Sequence, residues 1–462
     1  MAGTSIAELD AVVVGAGTAG AAAAYQLATR GMSVALLDRR PLDEAGAQWH
    51  NGVLDWQFER AGLAPPAPPE RVADAVRTHM FGPDGTPACT LDATPTVAAH
   101  MGLLGRRLRG LAAGAGTETY DHVEQISVVP RGDRISAIDV SMGGSGGKRS
   151  EIRLVAPLFV DASGRRGILR NESKVLEPWC PQVRGDELCS AADFHMRVAD
   201  RDGARRFLER HGALPGEGVS VLGRHGGFSA QSVTVSGDLQ QVGVLVGCLA
   251  NGRYGTGPRL LADLRVEEPW IGEPIQGGFG VIPLRRPYAR FTAPGLALVG
   301  DAACQVFPAH GSGIGMGLIA GRLLAEAVAG EVDPGDGEVL WGYQLAFQRE
   351  FGGLMAFYDS VRRLSTALGT DGVAQLTRAG LTGETTTLAA LNQTWAAPPL
   401  AEMPRLAVNL FRSPKLAAKV LPRLARGQLL ARVGSTHPES PDAAALARWD
   451  RRVERLLGSL PS

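Results

Sequence analysis

Gly15-x-Gly17-x-x-Gly20 follows the apolar run Ala11-Val12-Val13-Val14, and Asp38 closes the next apolar run at 33–37. These types in this order suit the binding of a dinucleotide. Gly15 permits a tight turn, Gly17 lets the backbone approach a pyrophosphate, and Gly20 lets a helix pack close to the strand. The N-terminus of that helix offers free N–H groups and a positive dipole to the phosphates. Asp38 can accept hydrogen bonds from ribose hydroxyls. With 60 glycines in 462 residues the spacing alone is weak. Its force comes from the context of strand, turn, helix and terminal acid. Arg39 and Arg40 come next; they suit a 2′-phosphate, which acidic Asp38 opposes, or a solvated loop.

A second unit lies far along the chain. Leu296-Ala297-Leu298-Val299 ends on Gly300-Asp301, and the run Pro308-Ala309-His310-Gly311-Ser312-Gly313-Ile314-Gly315-Met316-Gly317 opens a helix reaching about residue 328. An acid at a strand's carboxyl end can hold a ribityl hydroxyl. A glycine-rich helix start places N–H groups beside an anion, such as the N1–C2=O edge of a reduced flavin. Two strand–loop–helix units suit a cofactor held at both ends, which points to FAD.

The elements that position these residues follow from periodicity. A helix is expected over 18–30, ending at Gly31. Another is expected over 100–113, with strands at 121–129, 134–141 and 154–160, the second closing on a turn at 143–147 and the last ending at Asp161-Ala162-Ser163-Gly164. From about 191 to 250 strands dominate, and Ser236-Gly237-Asp238 between two valine-rich runs reads as a hairpin. There His195 and Arg197 alternate with Phe194 and Met196, which places the polar pair on an outward, solvated face. Beyond 341 the chain turns helical, with a proline-interrupted region at 396–422 and an amphipathic last twenty residues.

Composition excludes several classes. Apolar residues make up 45% and charged residues 20%, and 47 basic side chains balance 47 acidic ones, so nothing advertises a nucleic-acid face. The five cysteines have no CxxC spacing, so no metal site is expected. Residues 1–10 lack the pattern of a secretory signal, no run spans a bilayer, and a reduced, cytoplasmic protein is the expectation. The basic, leucine-bearing stretch 405–432 reads as a solvated helical face, with peripheral contact to a membrane surface as the alternative. Cys304 reads as a small buried residue and His310 as a helix cap.

Together the glycine loop, Asp161-x-x-Gly164 with Arg170, and Gly300-Asp301 through Gly317 resemble the FAD-dependent superfamily of p-hydroxybenzoate hydroxylase and geranylgeranyl reductase type. Flavin halogenases and lycopene cyclases are more distant members. The resemblance implies an α/β fold: an FAD-binding Rossmann-like (ββα) domain, an inserted, mostly antiparallel-sheet substrate domain, and C-terminal helices. The expected FAD-binding domain comprises 1–80, 100–175 and 275–340, the substrate domain 81–99 with 176–274, and the helical region 341–462. Gly15, Gly17, Gly20, Asp38 and Arg39 would lie at the ADP half, with Val123 giving backbone contacts. Asp161 and Gly164 would sit near the pyrophosphate, and Gly300 and Asp301 at the ribityl chain. Pro308, Gly311, Gly313 and Ile314 would border the isoalloxazine ring. Trp49, His50 and Asn51, in the loop that reaches the flavin in such proteins, are the substrate-side candidates; a core-packed Trp with a surface His is the alternative.

Some residues depart from the hydroxylase pattern. Cys304 and Gly315 stand where His and Asn are common, and Gly313-Ile314 and the 277–283 run look more like the reductase branch. That branch often has a cysteine near 48–52, absent here. The Trp-x-Trp-x-Ile-Pro block of the halogenases is missing. The leading expectation is a monooxygenase that hydroxylates or epoxidises a small hydrophobic molecule. NAD(P)H would be the electron donor, acting directly or through a partner flavin reductase. The alternatives are a geranylgeranyl-reductase-like double-bond reductase and a non-redox cyclase or FAD-binding protein.

Overall fold

The computed structural model describes residues 5–143, 149–395, 408 and 412–458. A four-residue strand with no exposed position must be covered on both faces, which parallel sheets with flanking helices provide. β2 (Ala11–Val14), β3 (Val34–Leu37), β13 (Leu158–Asp161) and β20 (Leu296–Leu298) are buried throughout. With β9 (Glu118–Tyr120) and β19 (Thr292–Ala293) they form a sheet ordered β19-β20-β13-β2-β3-β9. All run parallel except β19. From β2 the chain proceeds to β3 on one side, while β13 and β20 lie on the other. Such a reversal opens a crevice past the carboxyl ends of the strands.

Helices α1 (Thr18–Ala28), α3 (Met101–Gly114) and α6 (Ile314–Val328) pack beside this sheet. Small residues let α6 lie close to α1: a Cβ on Gly317 would stand 2.8 Å from the Ala19 methyl, and one on Gly321 3.0 Å from the Ala23 backbone.

The run 154–160, expected as one strand, is two. Leu154 belongs to β12 (Arg149–Val155) of a second sheet, ordered β1-β12-β11-β10, and β13 starts at Leu158 in the first. Pro157, at the break, has no N–H to donate to a ladder. The other strands of that sheet are β1 (Ser5–Glu8), β10 (Val123–Arg131) and β11 (Arg134–Gly143). The expected turn after Gly143 lies outside the described residues.

A seven-stranded sheet, ordered β18-β14-β17-β16-β15-β6-β7, carries the other half. Its strands are β6 (Thr78–Phe81), β7 (Pro87–Leu91), β14 (Leu188–Val198), β15 (Gly218–Leu222), β16 (Ser229–Val235), β17 (Gln241–Leu249) and β18 (Ile271–Pro283). It is antiparallel apart from β15 beside β6. The predicted hairpin is there, with Val235 opposite Val242. Ala192, Met196, Val233, Val244 and Val246 face α4 (Arg201–Arg210) and α5 (Gly257–Glu267), forming a second core with Phe207, Leu260 and Leu264.

The expected boundaries at 81 and 275 cut through strands of this sheet, since β6 begins at Thr78 and β18 at Ile271. β8 (Val97–His100) lies elsewhere. It pairs with β4 (His50–Val53) and β5 (Arg71–Ala73) in a small antiparallel sheet between the two halves. α2 (Asp55–Arg60) follows β4. The C-terminal helices are α7 (Gly337–Phe347), α8 (Gly353–Arg378), α9 (Glu384–Leu391), α10 (Pro414–Gly434) and α11 (Ala443–Leu457). Gly369, at φ 67°, interrupts α8.

Candidate functional site

The glycine turn sits at the crevice. Gly15 has φ +108° and its Cβ would stand 2.3 Å from the Ala162 carbonyl oxygen, so only glycine lets the ends of β2 and β13 meet. A Cβ on Gly20 would collide with the Gly15 carbonyl oxygen at 1.8 Å. α1 starts at Gly17 with no side-chain cap and no acid in its first turn. Its first N–H groups are therefore left for a ligand. Asp38 accepts from Ala16 N at 2.8 Å and Arg40 N at 2.9 Å, holding the turn open from the neighbouring strand. Val123 lies beside it, its N–H bonded to the Asp38 carbonyl. Arg39 is exposed.

A residue the sequence did not single out joins this group. Arg109 on α3 is buried and donates from Nη1 to the Ala16 and Ala45 carbonyls, both at 3.2 Å. Its Nη2 is buried with no partner. An unsatisfied guanidinium nitrogen beside an uncapped helix start fits an anionic group lodged at the turn.

Asp161 ends β13, opposite Val14 and beside the glycine turn. Its carboxylate accepts from Ser163 N, Ser163 Oγ, Leu169 N and Arg170 N, so it shapes its own loop and is not free to hold a ligand. Gly164, at φ +69°, faces open space. Arg170 donates from Nη1 to the Ala302 carbonyl at 2.9 Å, tying this loop to the second motif.

In that second motif Gly300 has φ +68° and begins a 3₁₀ turn. The Asp301 carboxyl has no hydrogen-bond partner among the described residues, and burial pushes it up to about 6. It lies near Gly313, the first position before α6, which has neither a side-chain cap nor an acid in its first turn. By contrast α4, α5 and α7 are capped by Asp200, Thr256 and Asp336. His310 is therefore not the α6 cap; it lies at the surface, its Nε2 3.1 Å from the Ala390 carbonyl. Pro308 is buried, Gly311 has φ +76°, and Ile314 opens the helix. Cys304 is buried, as expected.

Trp49 leads into β4, which opens with His50 and Asn51, where the small sheet meets the seven-stranded one. A Cβ on Gly278 would stand 2.3 Å from the Trp49 ring, so that glycine makes the ring's seat. Gln276 donates to the Gln48 carbonyl at 2.6 Å and lies 3.1 Å from His100 Nε2. The His50 ring stands edge-on to His195 at 4.2 Å and to His100 at 5.2 Å. Burial, then the two neighbouring imidazoles, lower His50 to about 4, and its Nδ1 is buried without a partner. His195 is thus not on a solvated face, though Arg197 is exposed. The same face of β14 carries Asp193, opposite Gly278, whose carboxyl burial pushes up to about 7. The signal was present as the alternation Asp193, His195, Arg197, but a strand pattern does not say which face meets solvent.

Across the sheet, that face is built largely of small residues. Opposite Asp193 and His195 in register stand Leu245 and Gly243, then Ser232 and Thr234, then Ser220 and Gly218. Ala191, Gly247, Gly280 and Ala230 form the next row.

The FAD dependent oxidoreductase family model matches residues 10–77. The chain is 26% identical to digeranylgeranylglycerophospholipid reductase 2 of Methanopyrus kandleri, over 75% of this chain and 83% of that protein. It is 28% identical to the menaquinone reductase of Mycolicibacterium smegmatis, over 69% and 75% respectively. A geranylgeranyl bacteriochlorophyll reductase-like protein from Thermoplasma acidophilum superposes with a TM-score of 0.68 at 17% identity, covering 90% of this chain and all of that one. The chain thus resembles FAD-dependent oxidoreductases of the geranylgeranyl reductase type, as its motifs implied.

The oxidoreductase presents features that fit FAD at both ends: the uncapped α1 start with unsatisfied Arg109, and the uncapped α6 start with unpartnered Asp301. Its named relatives are reductases, which does not support a monooxygenase as the leading reading. Among the described residues no helix is long and apolar enough to cross a membrane and no cluster suits a metal ion.

Proposed function

We propose that the protein is an FAD-dependent reductase that saturates carbon–carbon double bonds of a polyprenyl-chain lipid. The observation that carries this reading is the match to two reductases of prenylated lipids across more than two thirds of the chain. The small-residue face of the seven-stranded sheet supports it. A floor of glycine, alanine and serine beside Trp49 would suit a long apolar chain.

FAD, when bound, supplies the two-electron reduction. Gly15, Gly17, Gly20, Asp38 and Arg109 would hold its ADP half. Asp301 would hold the ribityl chain and the α6 start the ring's anionic edge. Trp49, seated on Gly278, would flank the reacting double bond. Asp193, with its affinity for a proton raised by burial, would retain one near neutral pH for delivery to the site. NAD(P)H is the proposed electron source, acting directly or through a partner flavin reductase.

The test is anaerobic incubation of the holoprotein, reduced by dithionite, with a geranylgeranyl glycerolipid and with menaquinone, followed by mass spectrometry. A gain of two hydrogens per double bond supports the reading. Turnover only in air, with one oxygen gained, would overturn it and restore hydroxylation. Bleaching of the flavin by NADPH or NADH alone identifies the donor; bleaching only with an added flavin reductase assigns the electron supply to a partner.

A further inference from the structure

The helix α10 has three faces. Leu416, Val420, Gly427, Leu430 and Val433 are buried, with Leu416 and Val420 against Leu364 and Gly427 against Phe357, both of α8. Lys415, Lys419, Arg423 and Arg426, spaced by four, four and three positions, form one exposed flank, and Arg432 adds a fifth cation. The third face points outward and is mostly apolar: Leu421 and Leu429 are each 51% exposed and Leu424 40%, alongside exposed Ala418 and Ala425, with Gln428 and Arg432 as the polar residues among them. The helix contains no acid. Among the described residues none of its cations forms an ion pair with an acidic side chain.

The whole chain is neutral, so this positive charge is a local concentration and not part of a general excess. Trp395 lies nearby, 52% exposed, its ring 5.7 Å from Phe357, the residue over which Gly427 sits. An exposed tryptophan beside an apolar stripe with a cationic flank is the arrangement of a helix lying in a lipid interface. A solvated helix gains nothing from three bare leucines facing water.

We infer that the outward face of α10, with Trp395, docks the protein on the surface of an anionic phospholipid bilayer. The leucines would enter the acyl boundary, and the lysine and arginine flank would meet the lipid phosphates. The same region adjoins the candidate site: Trp56 donates to the Asn392 carbonyl, Gln57 to Gln393, and Gln57 lies against Gly315 at the start of α6. Docking there would set that end of the site close to the lipid surface. This last consequence rests on the proposed polyprenyl substrate; the docking itself does not.

The test uses full-length holoprotein and flotation with vesicles of phosphatidylcholine alone or with a third phosphatidylglycerol. Wild type is expected to float with the anionic vesicles at low salt and to be released by high salt. Replacing the flank (Lys415→Gln, Lys419→Gln, Arg423→Gln, Arg426→Gln) is expected to weaken partitioning by at least about a hundred-fold. Leu421→Asp with Leu429→Asp is expected to abolish it while FAD content and circular dichroism stay unchanged; Leu429→Gln serves if that pair fails to fold. No binding by folded wild type, or binding untouched by both sets, overturns the inference. So does a dimer in sedimentation that Leu421→Asp dissolves, which would assign the face to a second copy. No flotation of wild type, with intact turnover of detergent-solubilised lipid, sinks docking alone. Flotation without turnover sinks the substrate reading alone.

Discussion

Two carboxyls carry the residue-scale chemistry, and burial sets both. Asp193 is pushed up to about 7 with no charged partner as the cause. If it delivers the proton, turnover falls as pH rises through about 7, and Asp193→Asn flattens that limb in a pH–rate profile. Stability has its own sign. The native carboxyl is harder to ionise than the unfolded one, so the cost to folding appears above pH 3.8 and levels off above about 7. Asp193→Asn is therefore expected to raise the thermal midpoint at pH 8 and to leave it near wild type at pH 3.5. The Asp301 carboxyl accepts no hydrogen bond among the described residues; if it holds the ribityl chain as proposed, Asp301→Asn removes a charge-assisted bond to the cofactor. FAD titration is expected to show about ten- to hundred-fold weaker binding, the worth of one such bond. Gly15 and Gly20 were legible in the sequence because each carries a backbone demand. Asp193 was not, because nothing local to β14 reveals what packs above it.

At the scale of elements, the site is a joint between β4 with β8 on one side and β14 with β18 on the other. Gly278 is where the Trp49 ring packs against β18. Its backbone accepts alanine, but a methyl there would overlap the Trp49 ring. Gly278→Ala is expected to keep FAD bound while displacing Trp49. The measurable result is a shifted flavin or tryptophan spectrum and about ten-fold or greater loss of turnover, as expected when a positioned group moves. The expected strand 154–160 fails for a related reason. Apolar runs specify burial and not partners, and only Pro157 marks where one sheet hands over to another.

At the scale of the whole molecule, buried ion pairs tie the helical region to the rest. Asp359 on α8 is fully buried with Arg362 and Arg363, and it accepts from Arg286 N just past β18. Arg286 in turn pairs with Asp450 and Glu454 of α11. Burial opposes the Asp359 charge, but the two arginines outweigh it and hold its carboxyl well below the usual range. Asp359→Ala leaves the buried Arg362 guanidinium without its acid and Arg363 with only Glu187, and denaturant unfolding is expected to show a loss of about 3–5 kcal/mol. A lowered carboxyl contributes stability that is present above its ordinary value near 3.8 and is lost as pH falls towards the native one. The mutant's deficit should therefore shrink below pH 3.8.

The sequence by itself determined the cofactor, because FAD needs two strand–turn–helix units with glycines and acids in set order, and each unit is local. It also determined the parallel sheet, since all-apolar four-residue strands are stable only when covered on both faces. Tertiary structure decided what surrounds the reacting end. His100, His195, Asp193 and Gln276 come from β8, β14 and β18, and they lie around Trp49 and His50 because the small sheet packs against the seven-stranded one; Arg109 of α3 reaches the glycine turn at the other end. It also decided that Asp161 is occupied by its own loop, four donors closing on one carboxylate. Periodicity reports which side of an element is apolar. Which polar side faces water and which faces a ligand depends on elements distant in sequence, and packing alone settles it.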